Sequence, residues 1–264
     1  MNALALNAVT WNGAGLLGPS LVGLSVGHIG IDGCFYANVI SYVAVIGALL
    51  CMHVPHSEIR SAGGGVLQSL RDGFGYVRSE RIIMTFLIVS AIFNIFGRSY
   101  VTLLPVVAKE VLHVGASGFG FISAGPGLGT IFGSFTLASL GRVQVGRGIL
   151  ITLLLSFCAT LFAFATSADL WFAFGLLVVV GALSTVFETL LNTSIQLRVV
   201  ESFRGRVSGF YGLTGGGLRE LGGMQAGFVA EWSSAPIAIC AGALVLAVVG
   251  YGFLGSRLNR LAQS

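Results

Sequence analysis

The chain is built from apolar runs, each long enough to cross a bilayer. Eight of them lie at roughly 3–27, 32–52, 82–106, 117–140, 147–166, 170–197, 206–230 and 235–256. A spanning helix needs about 20 largely apolar residues. Composition agrees: 55% of the 264 residues are hydrophobic and 9% are charged, against about 25% charged in an ordinary soluble domain. A chain so poor in charge cannot cover a water-facing surface. The 39 glycines fit the same solvent, because membrane helices use small residues where backbones approach closely. The expected fold is an all-α integral membrane protein with eight transmembrane helices.

Connections are short, except for 53–81. That segment carries Gly63-Gly64-Gly65 and then "VLQSLRDGFGYVRSE". Val66, Leu70, Phe74 and Val77 recur there at helical spacing, with Arg71, Asp72 and Arg78 elsewhere, which predicts an amphipathic helix lying on the membrane surface. The basic residues test the threading. With 53–81 in the cytoplasm, Arg60, Arg71, Arg78, Arg81, Arg142, Arg147, Arg198, Arg204, Arg206, Arg257 and Arg260 all fall on that side. The other side holds Lys109 alone. This is a positive-inside asymmetry, and one missed or invented span would destroy it. Both termini are therefore expected in the cytoplasm. The net charge of +4 marks the inner membrane face and calls for no nucleic-acid partner.

Other chemistries find little support. "MNALALNAV" lacks the basic start and the small-residue cleavage site of a signal peptide. Cys34, Cys51, Cys158 and Cys240 lie in or beside apolar runs, without metal-ligand spacing, and read as small fillers. His53 and His56 lie where a helix leaves the membrane. "SAGPGLGTIFG" lacks the Lys-Ser/Thr of a phosphate loop. Gly125, Gly129 and Gly133 instead repeat every four residues, a face for close helix packing. No Ser or Cys nucleophile has a recognisable base. Neither an enzyme, a metal nor a cofactor is expected.

Two stretches carry a resemblance. "GAGLLGPSLVG" resembles the Gly-Pro motif in the fifth helix of major facilitator superfamily exporters, with Gly18, Pro19 and Gly23 in place and Ala14 where that motif has Gly. "SFRGRVSGFYGL", with Arg204, Gly205 and Arg206, resembles the turn before the eleventh helix in the enterobactin-exporter-like and transmembrane secretion effector branch. The resemblance covers essentially the whole chain, mapped onto helices five to twelve of a twelve-helix fold. It implies that 1–52 holds the last two helices of the N-terminal bundle, 53–81 the cytoplasmic linker and 82–264 the six-helix C-terminal bundle. The first four helices have no counterpart, so the chain is expected to be truncated at its N-terminus and to need them or a partner chain. The resemblance further implies a bacterial inner-membrane protein. It gives the Gly18-Pro19 bend a part in sealing the cavity. Ser139 departs from the family's loop signature, where an Asp is expected, so Arg142 and Arg147 read as inside anchors.

Charged residues within spans are costly and are functional candidates by default. There are four: Arg98, Glu188, Arg219 and Glu220. In the third span Ser90, Asn94, Arg98 and Thr102 recur every four residues. In the sixth, Ser184, Glu188, Asn192 and Gln196 do the same. Such rows lie on one helix face. The resemblance implies that both spans line a central cavity; the plainer alternative is hydrogen-bond glue between helices. On straight helices Arg98 and Glu188 stand about 10–15 Å apart in depth. Arg98 with Glu220, and Glu188 with Arg219, match better in depth; Arg219 and Glu220 are adjacent and point about 100° apart, so one of the two is expected to face the cavity and the other a neighbouring helix.

The function expected is secondary active transport: alternating-access, proton-coupled export of a bulky amphipathic molecule such as a drug or siderophore. A carboxylate held away from water can take up and release a proton, and Glu188 leads as carrier. The expected partners are the bilayer, a small-molecule solute and protons. The alternative is a non-transporting membrane fragment or regulatory remnant of such a transporter.

Overall fold

The computed structural model describes residues 30, 32–51, 66–140 and 146–261. Among them every regular element is helical. Helix α1 covers Asp32–Cys51 and α2 Val66–Ser79. Then follow α3 (Arg81–Ile92), a π-helical turn (Phe93–Gly97) and α4 (Tyr100–Glu110). The rest are α5 (Ala116–Leu140), α6 (Arg147–Ala165), α7 (Leu170–Gln196), a short 3-10 turn (Glu201–Phe203), α8 (Arg204–Trp232) and α9 (Ala235–Leu261).

Six helical stretches among the described residues are long and apolar enough to cross a membrane. They are Asp32–Cys51, Arg81–Glu110, Ala116–Ser139, Arg147–Ala165, Leu170–Gln196 and Ala235–Gly255. The protein is thus a multi-pass, all-helical membrane protein. Two of the eight expected spans are not among these six. The run at 3–27 lies outside the described residues. The run at 206–230 does fold as a helix, the 29-residue α8. Its glycines, together with Arg206, Arg219 and Glu220, keep it below the apolarity of the others.

Local chemistry explains several helix ends and interruptions. Asp169 caps α7, its carboxylate accepting from the Phe172 N–H at 2.7 Å, which satisfies one of the orphan donors of a helix start. Pro105 and Pro126 stand inside α4 and α5. Proline frees a backbone carbonyl in the preceding turn, and neighbouring helices and hydroxyls make this tolerable in lipid. The π turn joins α3 to α4: the Arg98 N–H reaches back five residues to the Phe93 carbonyl at 3.1 Å.

The core lies where α3, α6, α7 and α9 meet. Phe93 packs on Phe157 and on Phe187, with ring centroids 4.8 Å apart in both pairs. All three rings are fully buried. Glycine then sets how closely backbones approach. A Cβ at Gly129 would overlap the Val178 carbonyl oxygen, and one at Gly133 would stand 2.7 Å from the Ala182 carbonyl oxygen. In return, a Cβ at Gly181 would stand 2.7 Å from the Pro126 Cα. The Gly125–Gly133 face is therefore a backbone-to-backbone contact between α5 and α7, as the spacing led one to expect. Gly97, at the end of the π turn, gives way in the same manner to Leu246 of α9.

Helix α2 is the expected amphipathic segment. Its Val77 is buried, and Gly73 packs on Arg206 and Phe210 of α8. It is docked on the end of the bundle rather than lying only on lipid. Tyr76 stacks flat on Phe203, 4.4 Å between centroids, and its hydroxyl accepts from the Val200 N–H at 3.3 Å.

Candidate functional site

The two polar rows meet where the π turn and α4 face α7 and α8. Arg98 Nη1 donates to Glu188 Oε2 at 2.7 Å. The two side chains retain 29% and 24% of their exposure, so the pair opens to one side of the bundle. This corrects the expected pairing. Arg98 does not reach Glu220, nor Glu188 Arg219; Arg219 bonds its own neighbour Glu220 at 3.2 Å instead.

The reason is geometric. A depth match on straight rods counts only Cα positions. Helix side chains lean toward their own N-terminus. The stretch through α3 and α4 runs away from the Arg81 end of the bundle, and α7 runs toward that end, since Arg198 lies over the Phe86 ring. Arg98 therefore leans down toward Glu188, and Glu188 leans up toward Arg98. Two long side chains close the gap. Arg219 and Glu220 lie on the open side of α8, with 46% and 74% side-chain exposure. An exposed pair of this kind contributes little.

The π turn serves the same site. On an α-helix, a row that repeats every four residues drifts by about 40° per step. One π turn takes up an extra residue and so turns the row back. This keeps Ser90, Asn94 and Arg98 in line toward α7 and α8. Nothing in "FNIFG" announces a π turn, so the sequence did not reveal it.

Not every row member is free for a ligand. The Thr214 hydroxyl donates to the Tyr211 carbonyl at 2.7 Å. Ser90 must then donate to Thr214, also at 2.7 Å. Asn94 donates to the Ser90 carbonyl at 2.9 Å. The Ser90–Thr214 bond locks α3 to α8, which is the glue alternative, while the Asn94 bond stays within its own helical stretch. Ser184 is likewise buried and bonds the Gly181 carbonyl. Thr185 reaches Thr130 of α5 at 3.0 Å. Thr102 is exposed beside Gly223 of α8.

What remains open is Arg98, Glu188 and the lower part of the α7 row. Tyr211 of α8 donates its hydroxyl to the Glu188 carbonyl at 3.2 Å and fixes this end of the site. Gln196 donates to Ser208 of α8 at 2.9 Å. Asn192, Thr193, Gln196, Leu197 and Arg204 line an open groove of about 350 Å³. Of the turn motif, Arg204 thus borders the site, Gly205 faces open space, and Arg206 lies over the Phe203 ring at 5.1 Å. Gly18, Pro19 and Gly23 lie outside the described residues.

Arg98 carries one further feature. Its Nε is buried without a hydrogen-bond partner. Buried donors in native proteins are nearly always satisfied, so this N–H has spare capacity for a water or a bound acceptor. A guanidinium and a carboxylate held together in an apolar bundle can exchange partners: each is compensated by the other until a proton or a charged solute intervenes. Among the described residues no group of His, Cys, Asp and Glu is placed to hold a metal.

A family model described as transmembrane secretion effector matches residues 1–263. No curated protein matches the chain, and no solved structure does.

Proposed function

The chain belongs to the transmembrane secretion effector family, and on that premise we propose that it is a secondary active exporter of bulky amphipathic molecules, coupled to protons and working by alternating access. The Arg98–Glu188 ion pair carries this reading. A charge pair inside a spanning bundle is costly to keep and is retained where charge has to move or be recognised. Tyr100 and Tyr211 stand beside it, and this mixed apolar and polar setting suits a large amphipathic solute better than a small sugar. In this reading α8 is a further span, held by its contacts to α3, α4 and α9, and 1–52, 53–81 and 82–264 are two helices of one bundle, a cytoplasmic linker and a six-helix bundle. The arginines face the cytoplasm, with both termini. Glu188 takes up the coupling proton; Arg98 holds the carboxylate between cycles.

The test uses the full chain in proteoliposomes with an imposed proton gradient, probed with cationic and anionic amphipathic fluorescent dyes. Uphill accumulation that an uncoupler abolishes is the expected result. Glu188→Gln keeps the shape and most of the hydrogen bonding but cannot ionise. It should lose uphill transport and retain downhill exchange. Uphill transport at the wild-type rate by Glu188→Gln would remove Glu188 from the mechanism and promote Glu220. Absence of gradient-driven accumulation for every dye would favour the non-transporting alternative.

A further inference from the structure

We propose that α2 carries a headgroup site for anionic phospholipid, with Arg71 and Arg78 as its phosphate-binding side chains. The order of residues around this helix carries the inference. At 100° per residue, Gly73 and Val77 mark the face docked on the bundle. Next comes an apolar flank, Leu70 and Phe74, which keep 53% and 50% of their exposure. Next again come Arg78 and Arg71, both exposed, within about 20° of each other and about 40–60° beyond Phe74. Asp72 lies on the far side, roughly 160° from Phe74. Apolar flank, then basic edge, then polar back is the order of a helix seated at a membrane surface with acyl chains under its apolar flank and headgroups against its basic edge.

Two observations turn that pattern into a site. First, α2 cannot roll to hide the edge. Tyr76 is held by the Phe203 stack and by the Val200 N–H, and Gly73 packs so closely on α8 that a Cβ there would stand 3.1 Å from the Arg206 Cβ. Second, there is room. Gly75 lies between the two arginines along the helix, with no atom near its open side. An open groove of about 610 Å³ runs past Arg71, Asp72, Gly75 and Arg78 to Phe203. The two ion pairs among the described residues, Arg98–Glu188 and Arg219–Glu220, use neither arginine. The edge also lies at the right level, because α2 is followed after one residue by α3, which opens a spanning stretch. A phospholipid is favoured over a soluble anion because the exposed Phe74 and Leu70 adjoin the basic edge. The inference is independent of what the bundle transports.

The experiment uses the full chain in an uncharged detergent, titrated with short-chain phosphatidylglycerol, with phosphatidylcholine of the same chain length, or with inorganic phosphate. Binding is read by native mass spectrometry and by the lipid dependence of thermal unfolding. Phosphatidylglycerol should bind selectively, and more weakly as salt rises. Arg71→Gln should weaken it about fivefold, and Arg71→Gln with Arg78→Gln about thirtyfold. Asp72→Asn should bind at least as tightly as wild type. An unchanged unfolding temperature in phosphatidylcholine shows that the double variant is folded. Equal binding of the two lipids, or full phosphatidylglycerol binding by the folded double variant, would overturn the proposal. Inorganic phosphate that competes at equal concentration would overturn the lipid assignment, since the acyl flank would then count for nothing.

Discussion

Neutralising one member of the Arg98–Glu188 pair should damage the bundle more than neutralising both. The charge centres of a pair in 2.7 Å contact stand about 4 Å apart, worth about 4 kcal/mol of attraction at an effective dielectric constant near 20. Desolvation offsets part of this. Fully buried pairs lose about 3–5 kcal/mol when one partner is removed. Here the two side chains keep 29% and 24% of their exposure, so water screens the charge left behind. Glu188→Gln and Arg98→Gln should each cost about 2–3 kcal/mol. Much of that loss is the uncompensated partner, and the double variant removes it. The double variant should therefore cost no more than either single, a coupling of about 2–3 kcal/mol across the cycle. The measurement is reversible unfolding of the four proteins in mild detergent with a graded denaturing detergent. Singles that add to within about 0.5 kcal/mol would mean that the two groups are not coupled, and the contact would lose its standing as the centre of the site.

Gly129→Ala should destabilise by more than about 2 kcal/mol, because its Cβ meets the α7 backbone at Val178; Gly175→Ala, in open space on α7, should stabilise by up to about 1 kcal/mol, and equal signs from thermal unfolding of the two would refute the packed face. Thr214→Val should cost about 1–2 kcal/mol in the same assay, since it strips the buried Ser90 hydroxyl of its acceptor; a neutral result would mean that water takes its place. Single cysteines at Ser61 and Ser117 should label from opposite sides of the membrane; labelling of both from outside would overturn the orientation read from the arginines.

The spans that were plain in the sequence are those where hydropathy alone decides: α5, α6, α7 and α9 each needed only an unbroken apolar run. The Gly125–Gly133 spacing also translated directly, because a helix repeats its faces whatever its neighbour is. The polar rows were legible as rows but not as roles. Ser90 and Arg98 share one row, yet Ser90 is spent on Thr214 and Arg98 on Glu188. Only the neighbouring helices decide that division. The ion pair was misread because depth along the chain says nothing of side-chain lean, which here acts in opposite senses on two antiparallel helices. The docking of Tyr76 on Phe203 joins residues far apart in the chain, and neither stretch hints at the other.

Helix α8 has a consequence for how the protein is made. A helix leaves the translocon for lipid according to its own apolarity, and an arginine at its centre costs about 2.5–3.5 kcal/mol on that scale. If α8 spans the membrane as proposed, then with Arg219, Glu220 and so many glycines it is a poor candidate to enter alone. Only two residues separate the end of α8 from the start of α9, which is among the spans that qualify on apolarity. The two would then partition together as a hairpin, with Gly222 settling on Ile95 and Gly223 on Thr102 of the earlier span. Helix α9 would thus decide whether the one before it stays in the membrane, and a ribosome that stops short of α9 would release a chain whose glycine-rich helix has nowhere to go.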